Sequence, residues 1–406
     1  MKKVLIMGVG AQGSTIAKRL NSEEIVGEIR CADYDPKASS EMAGLLEKAK
    51  GYTVDARRVE EIVAAAEGVD LLVNGLAPDF NMTVMDAALE AGCHYQDMAS
   101  GPVSDVGFVE AVQRCLDRGP EFEEKGLTAL INSGSAPGFA NILARDSVDL
   151  LDSCEAIEIL VYDGIWSKQF IPFWWSPKTA FGDMAADPIR YENGRFIRSR
   201  PFDNPAMEEF RGLGKRRMVD HEHEEPVTMG LLADKVLKGV KYVNFRYGGP
   251  AVDLAENLYR MGLLSEEPLK VNGVEVVPMA VVSALTPPAP KYPEEIKEVL
   301  DGGMELEEAA FLVRVKGLID GRPVTVENYV NSPGLTDAFA LAQITHESYY
   351  TGQSAFLFTK MLVNGIITRS GVFPPEMLEQ EERNYYLREA GKLKITVDRT
   401  ITTRLF

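Results

Sequence analysis

Gly8, Gly10 and Gly13 stand in G-x-G-x-x-G spacing directly after the apolar run Val4-Leu5-Ile6-Met7. The chemistry this spacing suits is the holding of phosphates. Gly8 allows a tight turn, Gly10 lets backbone amides approach a pyrophosphate, and Gly13 lets the following helix pack close to the strand. Ala11 and Gln12 then fall at the start of that helix, where unpaired N–H groups favour anions. A second strand-like run, Glu28 to Ala32, ends in Asp33, 20 residues after Gly13. An acid there can accept both ribose hydroxyls of an adenosine. The same letters also admit a plain strand-to-helix turn with a surface Asp. A carboxylate at 33 repels a 2′-phosphate and the nearest following cation is Lys37, so the pattern favours NAD, with NADP possible.

Two further groups could line such a cofactor or act beside it. Asn74, Leu76, Ala77 and Pro78 lie in a loop after the buried run Val69 to Val73, at the carboxyl end of a strand where ligands bind in open sheets. His94, Tyr95 and Asp97 fall in a strand-like run, Cys93 to Asp97, that leads to another such loop. Hydride transfer at a carbon bearing an amine needs a nicotinamide, a proton acceptor and cations for any carboxylate. His94, Tyr95 and Asp97 are the acid–base candidates, histidine having an ordinary pKa of about 6.5. A histidine at a strand end can equally be a hydrogen-bonded structural residue.

Later in the chain, His221 and His223 sit among Glu222, Glu224 and Glu225. His-x-His spacing puts the rings on opposite faces unless the segment is extended, so a polar loop beside substrate is expected and no metal. Lys178, Arg246 and Arg145 are candidate clamps for a substrate carboxylate, since a guanidinium can pair with it bidentately. Trp175, with Phe170, Phe173 and Trp174, offers core or lid wall, or in the sharper reading a cation–π wall for an ammonium.

The elements that must position these residues read as α/β. The first 130 residues alternate strand and helix signals as a doubly wound parallel sheet of Rossmann type requires, with helical stretches at Ala38 to Lys50, Val59 to Ala66 and Met82 to Ala91. Residues 134–340 read as an inserted α+β domain with a mixed or antiparallel sheet. Its strand candidates are Ala156 to Tyr162, Lys241 to Tyr247, Leu269 to Val276, Ala309 to Leu318 and Arg322 to Val330, the last following a hairpin turn at Asp320-Gly321. The expected domains are therefore 1–133 for the nucleotide, 134–340 for substrate and dimerisation, and a largely helical 341–406.

Composition narrows the partners. With 45% apolar and 26% charged residues the 406-residue chain is of ordinary globular type, and its formal charge of −18 argues against nucleic acid while suiting a cationic or zwitterionic small molecule. Cys31, Cys93, Cys115 and Cys154 are scattered without C-x-x-C spacing, and no stretch has the length to span a bilayer. A soluble cytoplasmic enzyme that does not engage membranes is expected, and apolar strands in the second domain suggest a homodimer.

Several longer stretches resemble the saccharopine dehydrogenase superfamily, particularly its lysine 6-dehydrogenase-like and carboxynorspermidine dehydrogenase-like members. They are the opening G-x-G-x-x-G, NGLAPDFNMTVMDAALEAGCHYQD, SAPGFANILAR, FWWSPKTAFGDMAADPIRYENGRF, HEHEEPVTMG and TGQSAFLFTKMLVNGIITRSGVFPPE. The chain reads HEHEEP where the family pattern is His-Pro-Glu-Pro. The resemblance places Asp97 at the family's Tyr-x-Asp position, Asp183 at the acid after Trp-Ser-Pro, and His223 near substrate. It implies an NAD(P)-dependent oxidoreductase acting on a carbon–nitrogen bond of an amino acid or polyamine, and a closing segment that returns to the nucleotide domain. Oxidative deamination of lysine is the leading version. The rivals are reductive condensation of an amine with an aldehyde or 2-oxo acid, and a nucleotide-binding sensor or scaffold without turnover.

Overall fold

The computed structural model describes residues 1–104 and 106–403. Its strands are numbered in chain order. The chain folds into two units, one made of Met1–Asp146 with Ser348–Ile395, the other of Ser147–Glu347 with the residues from Thr396.

The first unit is built on a seven-stranded sheet: β1 (Lys2–Met7), β2 (Val26–Asp33), β3 (Ala49–Thr53), β4 (Leu71–Asn74), β5 (His94–Asp97), β6 (Thr128–Leu130) and β17 (Gly371–Phe373). The spatial order is β17-β6-β5-β4-β1-β2-β3, with parallel pairs throughout. Val4, Leu5, Ile6 and Met7 are buried without alternation because both faces of this central strand are covered. The chain leaves β1 for β2 on one side and later returns to β4 on the other. A crevice opens at such a reversal, beyond the carboxyl ends of the strands.

The helix Ala11–Leu20 buries Gly13, Thr15, Ile16, Ala17 and Leu20, and carries Lys18 and Arg19 in its last turn, where cations suit the helix dipole. The helix expected over Ala38 to Lys50 is instead Pro36–Gly44 followed by β3. Asp35 accepts from the Lys37 amide and Pro36 occupies the first turn, so the helix starts earlier. The edge strand AKGYT is mostly exposed and lacks the apolar alternation that would have revealed it. From Ser348 the chain returns to this unit: Gln96 in β5 donates to the Ala355 carbonyl (3.0 Å) and accepts from Thr359 (2.7 Å), pinning the helix His346–Val363 to the sheet.

The second unit carries a nine-stranded mixed sheet: β7 (Ser153–Ser167), β8 (Ile189–Glu192), β9 (Arg195–Arg198), β10 (Ala206–Phe210), β11 (Gly214–Asp220), β12 (Tyr242–Gly248), β15 (Met304–Ile319), β16 (Arg322–Asn331) and β18 (Thr396–Thr403). The order is β10-β11-β12-β7-β15-β16-β18, with β8 on β12 and β9 on β8. β12 runs parallel to β7, whereas the other pairs are antiparallel. The stretch Leu269 to Val276, read above as one strand, is a separate hairpin of β13 (Leu269–Val271) and β14 (Val274–Val276). Asn272 and Gly273 both adopt positive φ, at 50° and 86°, which closes a two-residue turn whose twist suits a hairpin. The segment 341–406 is divided, because β18 leaves the helical part and pairs with β16.

Among the described residues no helix is long and apolar enough to cross a membrane. All four cysteines are free and buried.

Candidate functional site

The glycines after β1 form a cradle shaped by backbone rather than by side chains. Gly8 has φ of +83° and donates to the Ala32 carbonyl at 2.8 Å. A Cβ at Gly13 would stand 2.0 Å from the Gly8 oxygen, so only glycine lets the helix approach. Gly10 is exposed, and a Cβ there would meet nothing within 4 Å, so the turn has bare amides and open space in front of it. Ala11 and Gln12 open the helix beside it. Gly75 donates to Met7 at 2.8 Å, which carries the Asn74-to-Pro78 loop alongside the glycines and sets Leu76 against Gly8. Ala77 at the tip is exposed.

Asp33 ends β2 and accepts from the Val9 amide at 3.1 Å and the Asp35 amide at 3.0 Å. Its carboxylate is thereby fixed at the rim of the turn, where a ribose would lie. These residues fit a dinucleotide: an amide-lined turn, a helix start, and an oriented acid one strand away.

At the end of β5 the sequence candidates separate. His94 opens the strand at its amino end, about 10 Å along the chain direction from Asp97. Its Nδ1 accepts from the Thr128 amide at 3.0 Å, and burial pushes its pKa down, with Lys2 adding to the effect. The expected placement at the ligand-facing end is therefore corrected: His94 joins β5 to β6. Tyr95 is fully buried. It accepts from Asn74 (3.2 Å) and donates to Asp97 Oδ2 (3.0 Å). Asp97 Oδ1 accepts from the Asn132 amide at 2.7 Å. Burial lifts the Asp97 pKa to about 7, against the lowering effect of those two donors. Asp97 thus ties together the ends of β4, β5 and β6.

In the second unit the structure gathers residues far apart in sequence. The segment at 221–224 precedes the helix Glu225–Leu231 and is not itself helical, so the His221 and His223 rings lie on the same side, with centroids 6.1 Å apart. His223 stacks on Phe245 at 3.8 Å, nearly parallel, and its Nδ1 meets Glu225 Oε2 at 2.5 Å and Glu224 Oε2 at 3.5 Å. Trp175 packs edge-on against Tyr247 (6.1 Å), which in turn meets His221 (5.5 Å).

Charge in this cluster is unbalanced. Burial alone would lower the His223 pKa, but Glu225, Glu224 and Asp183 outweigh it and hold the ring cationic, to about 9. Burial raises Glu224 to about 8 even with His223 opposing, and Asp183 to about 7. His221, buried beside the His223 cation, falls to about 3 and is neutral. Glu225 Oε1 has no hydrogen-bond partner among the described residues. One imidazolium therefore faces three carboxyl groups, with Glu222 already engaged by Arg198 at 3.1 Å. Such a set can accept a second cation. His223, Glu224 and Glu225 also bring potential metal-ligating atoms within 4.8 Å of one another.

The proposed carboxylate clamps do not join this group. Arg246 is committed to Asp220 at 3.1 Å, Arg145 in the first unit donates to the Glu376 carbonyl at 3.1 Å, and Lys178 is exposed in the first turn of the helix Pro177–Ala185.

Residues 4–130 match the saccharopine dehydrogenase NADP binding domain and residues 134–393 the saccharopine dehydrogenase C-terminal domain. The chain belongs to the saccharopine dehydrogenase family. As a member of that family it is an NAD(P)-dependent dehydrogenase. It is 24% identical to carboxyaminopropylagmatine dehydrogenase of Synechocystis sp. over 96% of both chains. It is 25% identical to carboxynorspermidine synthase of Vibrio alginolyticus over 93% of this chain and 92% of that one. Its fold is shared with saccharopine dehydrogenase (L-Glu forming) of Saccharomyces cerevisiae, with TM-score 0.69 and 14% identity over 99% and 100% of the two chains. Homospermidine synthase of Legionella pneumophila, solved in complex with NAD, gives TM-score 0.68 and 13% identity over 99% and 91%.

Two features of the site escaped the sequence reading. Asn132, fully buried at φ of 57°, fixes Asp97 while its own side-chain oxygen and nitrogen have no hydrogen-bond partner among the described residues. An Asn directly after a short buried run was the available signal, since Asn tolerates this backbone region. The excess of acid around Glu224 had no local signal, because Asp183 reaches it from 41 residues earlier in the sequence.

Proposed function

We propose that this saccharopine dehydrogenase family member, acting as a homodimer, catalyses the reductive condensation of an amine with an aldehyde or 2-oxo acid. The observation that carries the proposal is the buried acidic cluster of Asp183, Glu224 and Glu225, whose carboxyl groups outnumber the His223 cation and are held near neutrality by burial. An ammonium entering there would restore the balance. The relatives named for carboxynorspermidine and carboxyaminopropylagmatine, each an amine bearing a carboxyl group, support the same direction.

Gly8, Gly10, Ala11, Gln12 and Gly13 would hold the cofactor phosphates, Asp33 the adenosine ribose, and Asn74, Leu76, Ala77 and Pro78 the neighbouring wall. Asp33 favours NAD over NADP. Asp97 and Tyr95 act as positioning residues for the loops after β4, β5 and β6.

Glu224, with a pKa near the working pH, takes a proton from the ammonium, and the freed amine attacks the carbonyl carbon. The proton returns as water leaves, giving an iminium. Bound NAD(P)H supplies the hydride that turns the iminium carbon into that of a secondary amine. Trp175 and Tyr247 shield the cation from water and offer it a ring face.

The test follows reduced-nicotinamide absorbance with diamines paired with aldehydes and 2-oxo acids, and in parallel with L-lysine and oxidised cofactor. Turnover that requires both an amine and a carbonyl partner is expected. Turnover with L-lysine and NAD alone would replace condensation by oxidative deamination, the version the sequence put first. Tight cofactor binding with silence across both panels would leave only a nucleotide-binding role.

A further inference from the structure

β13 and β14 form a sheet of their own, paired only with each other. Across this ladder Leu269 faces Val276 and Val271 faces Val274, while Lys270 stands opposite Glu275. Side chains alternate between faces along a strand, so the hairpin is apolar on one side and charged on the other. A two-stranded hairpin is marginal in water unless something covers its apolar face. Nothing in its own chain does so: Leu269, Val271 and Val274 are exposed, Val274 to 63%. The helix Pro278–Leu285 follows directly. It buries Pro278 and Met279 and leaves Val281 and Leu285 exposed, Leu285 to 78%.

We infer that this hairpin and helix are the surface on which a second copy of the chain docks. The inference deepens the homodimer reading by naming its face. Six aliphatic side chains present on the order of 300 Å² of apolar surface, by the usual area of such groups. Patches of that extent mark interaction sites. Doubled across a two-fold axis, the area supplies a large share of the apolar centre of an interface burying about 1,600 Å² in all.

Charge selects the occupant. The chain carries a net −18, which repels another copy or an anionic lipid surface over most of its exterior. Between Pro268 and Pro293, however, Lys270 and Lys291 stand against Glu275 alone. Two copies can approach there without the repulsion that opposes them elsewhere, and a face that is apolar and nearly neutral is complementary to itself. A two-fold contact of this kind uses the same patch on both partners and closes after two copies.

The experiment is sedimentation velocity of the full chain over a micromolar concentration range, beside the double variant Val271→Asp/Val274→Asp. The wild type is expected at twice the mass of one chain and the variant at the mass of one, with unchanged far-ultraviolet circular dichroism. Should the double variant unfold, Leu285→Ser provides the second perturbation. Amide exchange at Val274–Val276 should slow as wild-type concentration rises. A dimer that survives both sets of substitutions places the interface elsewhere and overturns the arm while keeping the homodimer. A wild type that stays monomeric throughout overturns both. Flotation of the wild type with phosphatidylcholine vesicles, lost in the double variant, would assign the face to a lipid surface instead.

Discussion

Asp97 in the first unit and Glu224 in the second are both buried acids held near neutral pH, and their surroundings differ in kind. Both Asp97 oxygens accept hydrogen bonds, from the Asn132 amide and the Tyr95 hydroxyl, so its bonding is largely satisfied by the strand ends it joins. Glu224 has the His223 ring at 3.5 Å and the competing carboxyl of Glu225 beside it. Burial raises both pKa values, to about 7 and about 8. A raised pKa therefore does not by itself separate architecture from chemistry. Spare bonding capacity does: one environment is closed on itself, and the other has room for a cation.

Four measurements test that distinction. The largest effect is expected from Gly13→Val, which disables the first unit without touching either acid. Its Cβ would sit 2.0 Å from the Gly8 oxygen with backbone on both sides. Cofactor binding should vanish from a fluorescence titration, and a thermal melt should show a loss of about 3 kcal/mol.

Next in size is Glu224→Gln. Catalytic efficiency for the amine should fall roughly 30-fold, about 2 kcal/mol, the scale of a lost hydrogen bond to a charged group. Cofactor affinity should stay constant. An unchanged amine KM would mean that Glu224 is as closed as Asp97.

The third concerns pH. Because the Glu224 and Asp183 pKa values are raised to about 8 and about 7, these acids progressively protonate as pH falls through that window, and amine affinity should decline with them. Amine binding near pH 7.5 should also release protons, detectable by calorimetry in buffers of different ionisation enthalpy. Asp97→Asn should preserve this profile while changing another. A folded-state pKa above the ordinary carboxyl value makes stability fall as pH rises from about 4 to about 7. Asparagine cannot ionise, so the variant should lose that slope in denaturant melts.

The smallest effect is expected from His94→Gln. The Thr128 amide keeps an acceptor, so turnover should stay within about twofold and stability within about 1 kcal/mol.

The glycine cradle was legible because its letters are dictated by local geometry: a turn at positive φ, a bare amide, a close helix. The alternation of the first sheet was legible for a similar reason, each strand being buried on both faces. β3 was not, since an edge strand written AKGYT buries too little to show a pattern. The parallel pairing of β12 with β7 left no trace, as register is a property of two distant segments. The same limit applies to the site. His223 and its glutamates could be seen together, but burial and the arrival of Asp183 set their protonation, and neither is local. His94 was misplaced by only a few residues, yet in a strand those few residues span the distance from one edge of the sheet to the other. Arg246 looked available until the tertiary fold set Asp220 beside it.

The interleaving of the two units along the chain has a consequence for synthesis. β17, at residues 371–373, completes the edge beside β6, and β18, at residues 396–403, completes the edge beside β16. A nascent chain emerging from a ribosome thus exposes β6 through the next 240 residues or so, and β16 through more than 60, before their partners exist. Neither unit can close first and template the other. Both must wait as open sheets whose unpaired edges invite stray strands, so chaperone dependence during translation, rather than equilibrium stability, is where this topology is most exposed.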